Sequence, residues 1–317
     1  MVIYLQMSSN TLVIIPAGFA TPQIADEITE LKVKLGKRLF FDPILSSDST
    51  ISCGSCHLPE RSFADNKKFS FGVNGMVGVR NAPALINLVY ADKFLWDGGV
   101  NTLEKQILVP IGDHREMNSS IPEVIGKLSN HAEYPQLIKK AFNREVDAFS
   151  LTRALGAFQR TLISGNSKFD KYKYQKQEDV LNESEISGMK LFFSEKTNCT
   201  QCHSSFLFTN STYQNNGLHE FYSDSGRYRI TLELDDMALF KVPSLRNCEL
   251  TAPYMHDGMF QSLEQVVEHY NSGGKDHFNK SKFIKKLHLS GQEKKDLVNF
   301  LKTLTDTSFI NLHAKSS

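Results

Sequence analysis

The chain has 317 residues and a formal net charge of +1, with 36 lysines and arginines against 35 aspartates and glutamates. This near balance argues against nucleic acid or an anionic membrane surface as a partner. The length allows two domains, and the 40% of hydrophobic residues is enough to build a sizeable core in each.

The first 25 residues (1–25) are interpreted as an N-terminal extension or the remnant of a signal peptide. Residues 1–20 contain two apolar patches, but a polar break at residues 8–10 separates them and no basic segment precedes them. No stretch of the chain reaches the ~20 apolar residues that a membrane-spanning helix needs. We therefore expect no membrane span.

A short sequence recurs in the two halves of the chain. Gly-Lys-Arg-Leu-Phe-Phe occupies residues 36–41, and Gly-Met-Lys-Leu-Phe-Phe occupies residues 188–193. The spacing of the apolar residues predicts the end of an amphipathic helix in both places. This internal repeat indicates that the two halves are built from related helical units.

Each copy of the repeat is followed by the pattern Cys-x-x-Cys-His, at residues 53–57 and 199–203. In such a pattern two thiols attach to the vinyl groups of one haem, and the histidine supplies an axial ligand to the iron. Zinc sites and redox dithiols also use Cys-x-x-Cys, but the trailing histidine in both copies favours haem. The predicted attachment and ligand residues are Cys53, Cys56, His57, Cys199, Cys202 and His203. The fifth cysteine, Cys248, is interpreted as a small buried residue.

These patterns predict a mainly α protein with two cytochrome c-like helical domains, each with one covalent haem, and few or no strands. The predicted domains are residues 26–165 and 181–317, with the polar, lysine-rich residues 166–180 as a linker. Because haem of this kind is attached outside the cytoplasmic membrane, we expect a periplasmic protein. Residues 58–163 are more than a haem-binding domain needs, which indicates an additional function.

The additional segments resemble a known family. In the first half these are Arg-Asn-Ala-Pro-Ala-Leu-Ile-Asn at residues 80–87, Trp-Asp-Gly at 96–98 and Arg-Glu-Met at 115–117. In the second half they are Val-Pro-Ser-Leu-Arg-Asn at residues 242–247 and Ala-Pro-Tyr-Met-His-Asp-Gly at 252–258. Together they resemble the bacterial di-haem cytochrome c peroxidases and their MauG-type relatives. A plain electron-transfer cytochrome has no need of these segments.

The resemblance implies that the first haem reacts with hydrogen peroxide. Cleaving peroxide needs a group that moves a proton from one oxygen to the other, so that water can leave. The positions matching the family's glutamate and the glutamine beside it are Glu116 and Gln106. A solvated loop carboxylate is the alternative for Glu116. Trp96, the only tryptophan, matches the residue that relays electrons between the haems, and core packing is its alternative.

The loop at residues 70–75 departs from the family pattern. Many family members place a histidine here that binds the first haem iron in the fully oxidised protein. This chain has Val73 at that position, and valine cannot bind iron. We therefore predict a first haem that is open without reductive activation. His114 is an alternative ligand that lies nearby in the sequence.

The sixth ligand of the second haem distinguishes the subfamilies. Peroxidases of the standard type use a methionine, whereas the MauG arrangement uses a tyrosine, which stabilises ferric and higher oxidation states. The matching position in this chain is Tyr270. Met259, Met255 and His269 are the competing candidates.

The resemblance also implies one calcium ion, held by oxygen ligands. The matching positions are Asn81, Thr251 and Pro253, the last two through their backbone carbonyls. No acidic loop of the EF-hand type is present, so the prediction of calcium depends on the resemblance alone.

Three functions are compatible with these features. The first is a cytochrome c peroxidase, which reduces hydrogen peroxide to water with electrons from a small periplasmic redox protein, such as a cytochrome c or a cupredoxin. The second is a MauG-like enzyme that uses peroxide to oxidise residues of a partner protein. The third is a simple di-haem electron carrier, which leaves residues 63–120 unexplained. We expect the peroxidase, and the resemblance is also compatible with a homodimer.

Overall fold

The computed structural model describes residues 12–314 of the chain. Residues 1–11 of the predicted N-terminal extension and residues 315–317 lie outside the described residues. Within the described range the chain is mainly helical, which confirms the predicted fold class. None of the helices in this range is long and apolar enough to cross a membrane.

The described residues form α helices joined by turns and one very short sheet. The sheet pairs β1 (Tyr213–Gln214) with β2 (Phe240–Lys241) in antiparallel orientation. The helices in chain order are α1 (Glu30–Phe41), α2 (Cys53–Cys56), α3 (Leu103–Gly112), α4 (Ile121–Ser129), α5 (Tyr134–Phe142), α6 (Ala148–Arg160), α7 (Lys168–Lys173), α8 (Glu183–Phe192), α9 (Tyr228–Thr231), α10 (Leu263–Ser272), α11 (Gly291–Lys302) and α12 (Thr307–Ala314).

The chain divides into two compact units, each assembled from separate segments. Within the described range, the first unit contains residues 12–92, 100–164 and 309–314. The second unit contains residues 93–99 and 165–308. The Trp-Asp-Gly segment and the segment predicted as a linker therefore both belong to the second unit.

A helix crossing at a glycine forms the centre of the first unit. Helix α1 packs against α6, and a Cβ atom on Gly36 would collide with the carbonyl oxygen of Ala154. Only glycine allows the two backbones to approach this closely. Beside the crossing, the Phe40 ring lies edge-on to the rings of Phe63 and Phe158, with centroids 5.8 and 5.3 Å away.

The second unit repeats this arrangement with α8 and α11. A Cβ atom on Gly188 would collide with the carbonyl oxygen of Asp296. The rings of Phe192 and Phe300 lie 5.1 Å apart next to the crossing. The repeated Gly-x-basic-Leu-Phe-Phe sequence thus supplies the glycine of each crossing and the aromatic residues beside it. Helices α1 and α8 end at Phe41 and Phe192, as the sequence predicts.

Helix α7 is part of the core of the second unit. Its Phe169 is buried among the aromatic residues of that core. Its Asp170 forms two hydrogen bonds of 2.9 Å with the guanidinium group of Arg246, and both side chains are buried. The segment predicted as a linker therefore carries a buried ion pair of the type that fixes one arrangement of its partners. A six-residue helix is too short to show apolar periodicity in the sequence.

Candidate active site

The first Cys-x-x-Cys-His segment forms the short helix α2. Ser52 precedes it, and the Ser52 backbone N–H donates to the Ser55 hydroxyl at 3.0 Å, which closes the first turn. One helical turn places Cys53 and Cys56 on the same side, as attachment to one porphyrin edge requires. Both residues are half-buried. Burial raises the pKa of the Cys53 thiol to about 12 and that of Cys56 to about 11, as expected in apolar surroundings that suit a porphyrin.

The histidine after each cysteine pair is oriented by a backbone carbonyl. The Nδ1 atom of His57 lies 2.7 Å from the carbonyl oxygen of Phe63, and Nδ1 of His203 lies 3.0 Å from that of Phe208. A carbonyl only accepts, so Nδ1 carries the proton and Nε2 keeps a lone pair that is available to bind iron. Burial lowers the pKa of both rings, that of His203 to about 4, and thus keeps them neutral. These residues fit haem c.

A proline carbonyl group acts on each of these histidine rings. The backbone carbonyls of Pro83 and Pro243 partly oppose the effect of burial on the pKa of His57 and His203, respectively. Pro83 lies in the Arg-Asn-Ala-Pro segment and Pro243 in the Val-Pro-Ser segment. Both segments stand out in the sequence, but no local pattern reveals this role.

Glu116 lies close to the first cysteine pair. Its negative charge contributes to the raised pKa values of Cys53 and Cys56. The residue is exposed to solvent, while neighbouring protein atoms partly desolvate its carboxyl group. This partial desolvation, followed by the charge of Asp113, raises the pKa of Glu116 to about 7. A carboxyl group of this pKa exists in both protonation states at neutral pH and can therefore accept and release a proton.

The loop with Val73 packs against the backbone of Glu116. The Val73 N–H donates a hydrogen bond of 2.9 Å to the Glu116 carbonyl oxygen, and only 2% of the Val73 surface is exposed. A Cβ atom on Gly72 would collide with the carbonyl oxygens of Arg115 and Glu116, which explains the glycine. His114, the alternative ligand, has an exposed ring that lies 3.6 Å from the Asp113 carboxylate.

Gln106 lies in α3, on the helix that leads to the Glu116 loop. Helix α3 begins after Thr102, whose side chain accepts a hydrogen bond from the Lys105 N–H. The Gln106 side chain is half-buried. Gln106 and Glu116 both belong to the first unit, together with the first cysteine pair.

Trp96 belongs to the second unit, where a rigid loop holds it. Its carbonyl oxygen accepts a hydrogen bond of 2.7 Å from the Lys241 N–H, and its side chain is half-buried. Asp97 is buried, and its carboxylate accepts a hydrogen bond of 2.9 Å from the Gly99 N–H. Gly98 has a φ of +68° and lies against the Tyr213 ring, so no other residue fits there.

Tyr270 lies on α10, close to the second cysteine pair. Burial, together with smaller effects of the neighbouring Cys202 and Cys199 thiols, raises the pKa of Tyr270 to about 12. Tyr270 and Cys199 pack against the same hydrophobic core. The Nδ2 atom of Asn216 lies 3.4 Å from the Tyr270 hydroxyl oxygen. Asn216 could not be recognised from the sequence, since a polar residue in an Asn-Asn-Gly turn has no distinguishing pattern.

The three competing ligands have different surroundings. Met259 is 45% exposed, which is unlike a ligand held inside a haem pocket. The Met255 sulfur lies 3.3 Å from Nδ2 of Asn216, the same atom that contacts Tyr270. The Nε2 atom of His269 lies 3.0 Å from the Asn216 carbonyl oxygen. Of the alternatives, Met255 is thus the one that shares a donor with Tyr270.

The three residues predicted to bind calcium lie in different parts of the chain. Asn81 belongs to the first unit, and its Nδ2 donates a hydrogen bond of 3.0 Å to the Lys67 carbonyl oxygen. Thr251 and Pro253 belong to the second unit, and the Thr251 hydroxyl donates to the Cys248 carbonyl oxygen at 3.2 Å. Among residues 12–314, no group of three or more His, Cys, Asp and Glu side chains could hold a metal ion. Calcium stays a prediction.

The chain is similar to known proteins over most of its length. The family model for the di-haem cytochrome c peroxidases matches residues 30–179. The methylamine utilization protein MauG of Methylorubrum extorquens is 37% identical, over 94% of this chain and 86% of that protein. The cytochrome c551 peroxidase of Nitrosomonas europaea is 36% identical, over 92% of this chain and 83% of that protein.

A solved structure has the same fold. The crystal structure of a MauG-like protein associated with microbial copper homeostasis superimposes with a TM-score of 0.88 and 35% identity. The match covers 93% of this chain and 96% of that one. The two cysteine pairs are consistent with the two haem c groups of such proteins. The chain therefore belongs to the family of di-haem cytochrome c peroxidases and MauG proteins, which are haem-dependent oxidoreductases.

Proposed function

We propose that this protein is a periplasmic, peroxide-dependent oxidoreductase of the MauG type, which takes electrons from residues of a partner protein. The observation that carries the proposal is that Tyr270 packs against the same hydrophobic core as Cys199 of the second cysteine pair. The influence of both thiols on the pKa of Tyr270 agrees with this placement. A tyrosinate ligand would stabilise the ferric and higher oxidation states of the second haem. With that ligand, the second haem would be suited to retaining oxidising equivalents and poorly suited to accepting electrons from a donor of moderate potential.

The haem groups, when bound, supply the redox-active iron that accepts the oxidising equivalents of peroxide. Glu116 moves the proton in this proposal. As a carboxylate it takes a proton from hydrogen peroxide, and as a carboxylic acid it delivers that proton to the departing oxygen, which leaves as water. The pKa of about 7 supports both roles at neutral pH.

Two further residues of the first unit complete this part of the proposal. The Gln106 amide would orient the peroxide through hydrogen bonds, because an amide both donates and accepts. Val73 occupies the loop position from which a histidine would otherwise compete with peroxide. Because the side chain of Val73 is aliphatic and buried, it cannot compete with peroxide for the iron.

A second candidate is a cytochrome c peroxidase that receives electrons from a small redox protein. The observation that favours it is the Met255 sulfur, which lies 3.3 Å from the Asn216 amide that also contacts Tyr270. If methionine were the ligand, it would raise the reduction potential of the second haem and make that haem an acceptor of electrons. The similarity to the peroxidase of Nitrosomonas europaea is compatible with this function.

Spectra of the Tyr270→Phe variant separate the two candidates. The oxidised, haem-loaded protein is measured by optical and electron paramagnetic resonance spectroscopy, with and without the substitution. Tyr174→Phe is the matched control, because Tyr174 is a partly buried tyrosine packed on the core of the same unit. We expect the signals of the second haem to change in Tyr270→Phe alone. A methionine-type near-infrared band that survives the substitution would instead support the cytochrome c peroxidase.

A further inference from the structure

The backbone around Asn216 is held rigidly in the second unit. The side-chain oxygen of Asn215 accepts hydrogen bonds from the Gly217 N–H at 2.8 Å and from the Tyr222 hydroxyl at 2.9 Å. The Gly217 carbonyl oxygen accepts a further bond of 2.6 Å from the Lys275 N–H. A side chain on such a turn has a defined direction, so its contacts can act on its neighbours.

Asn216 contacts three of the four side chains that compete as the sixth ligand of the second haem. Its Nδ2 atom lies 3.4 Å from the Tyr270 oxygen and 3.3 Å from the Met255 sulfur. Its backbone carbonyl oxygen lies 3.0 Å from Nε2 of His269. The fourth candidate, Met259, is exposed.

These contacts have different consequences for each competitor. A carbonyl oxygen only accepts, so Nε2 of His269 carries the proton and has no lone pair for a metal. The Asn216 amide has two N–H groups, one for each of its two acceptors. The Tyr270 oxygen can accept one of them and still have electron density for a metal. The Met255 sulfur is a weak acceptor. The second N–H group of the Asn216 amide keeps this sulfur directed at the amide.

The backbone of Met255 adds a restraint. Its φ of +76° lies in the left-handed region, which a residue with a long side chain rarely adopts. A conformation of this kind persists because its surroundings hold it, and the bond from Asn216 to the sulfur is one such contact. Loss of that bond would give the Met255 side chain freedom to take other directions.

We propose that Asn216 is a positioning residue that selects Tyr270 over Met255 as the sixth ligand of the second haem. One amide thereby determines whether this haem has the low potential of a tyrosine-ligated iron or the higher potential of a methionine-ligated one. This inference rests on the proposed function, in which Tyr270 is the ligand.

The test compares Asn216→Leu with the unmodified holoenzyme, because leucine has a similar size and no N–H groups. We expect a methionine-type near-infrared band to appear in the oxidised variant and the midpoint potential of the second haem to become more positive. One hydrogen bond of ordinary strength changes the ratio of the two ligation states about two- to tenfold. Both effects should disappear in the double variant Asn216→Leu/Met255→Leu.

Asn279→Leu is the structural control. Within residues 12–314, the side-chain amide of Asn279 donates to the backbone carbonyls of Asp235 and Met237, at 2.7 and 2.9 Å. We expect this control to lower the melting temperature without moving the potential or the near-infrared spectrum. The inference would be overturned if Asn216→Leu bound both haems and showed no change in the near-infrared spectrum or in the midpoint potential of the second haem.

Met255→Leu tests the inference even if Asn216→Leu does not fold. We expect the oxidised spectrum and the potential to stay unchanged in Met255→Leu, because the Met255 sulfur is engaged by the Asn216 amide. Loss of the signals of the second haem in this variant would identify Met255 as the ligand and overturn the selection. The spectra of Tyr270→Phe test the proposed function separately, because they report on ligation by Tyr270 independently of the role of Asn216.

Discussion

The backbone N–H of Val73 is hydrogen-bonded to the carbonyl oxygen of Glu116 at 2.9 Å. The loop that departs from the family pattern is thus attached to the residue proposed to move the proton of peroxide. Because Val73 is also buried, the two segments form one packed layer in the first unit. Substitutions in the Val73 loop will therefore change the position of Glu116 as well as access to the first haem.

The first prediction concerns the resting state of the first haem. Since Val73 cannot bind iron, the oxidised protein as isolated should already contain a five-coordinate or water-bound ferric haem, without prior reduction. Electron paramagnetic resonance should show a high-spin ferric signal that accounts for one of two haems. A spectrum in which both ferric haems are low-spin would contradict this prediction.

The second prediction concerns Glu116→Gln. This substitution keeps the size of the side chain and removes its ability to exchange a proton. Peroxide turnover should fall about 10²- to 10⁴-fold, the usual contribution of a positioned acid–base group. Haem content should not change. Glu60→Gln, at an exposed glutamate just after the first motif, is the control and should keep full activity. An unchanged rate in Glu116→Gln would remove this residue from the mechanism.

The third prediction is the pH dependence of the reaction with peroxide. Partial desolvation and then the charge of Asp113 raise the pKa of Glu116 to about 7. Below that pH the carboxyl group is mostly protonated and cannot take the proton of peroxide. The rate should therefore rise about tenfold per pH unit below 7 and level off above it. In Asp113→Asn the midpoint of this pH dependence should move to lower pH, because the negative charge of Asp113 no longer raises the pKa of Glu116. The rate of the reaction with peroxide is measured by stopped-flow mixing between pH 5 and pH 8. A rate that does not change over this range would contradict the role of Glu116 as the proton acceptor.

The fourth prediction tests the helix crossings. Gly188→Ala places a Cβ atom against the Asp296 carbonyl oxygen, so α8 and α11 must move apart. Overpacking of this kind destabilises a protein by about 1–3 kcal/mol, seen as a lower melting temperature of the holo-protein. Gly126→Ala in α4 is the control, because nothing lies within 4 Å of its Cβ position. This control should be neutral or slightly stabilising. Equal melting temperatures for the two variants would mean that the crossing tolerates a wider spacing.

The features that the sequence predicts well are those encoded locally. The two Cys-x-x-Cys-His segments and the repeated glycine and phenylalanine residues need only a few neighbours to be recognised. Asn216 was missed because its contacts, Met255 and Tyr270, lie 39 and 54 positions further along the chain. The burial of α7 was missed for a similar reason, since the partner of Asp170 is 76 positions away. Pairings over such distances depend on the folded chain.

The exchange of segments between the two units has a consequence for protein engineering. Residues 93–99 leave the first half of the chain to join the second unit, and residues 309–314 return from the C-terminal end to the first. Phe309 in the returning segment is buried and has its ring 6.2 Å from that of Phe63. A single cut near residue 164 would therefore leave each fragment without part of its own core. Studies of one haem at a time should keep the chain whole and disable one cysteine pair, because truncation would compromise both units together.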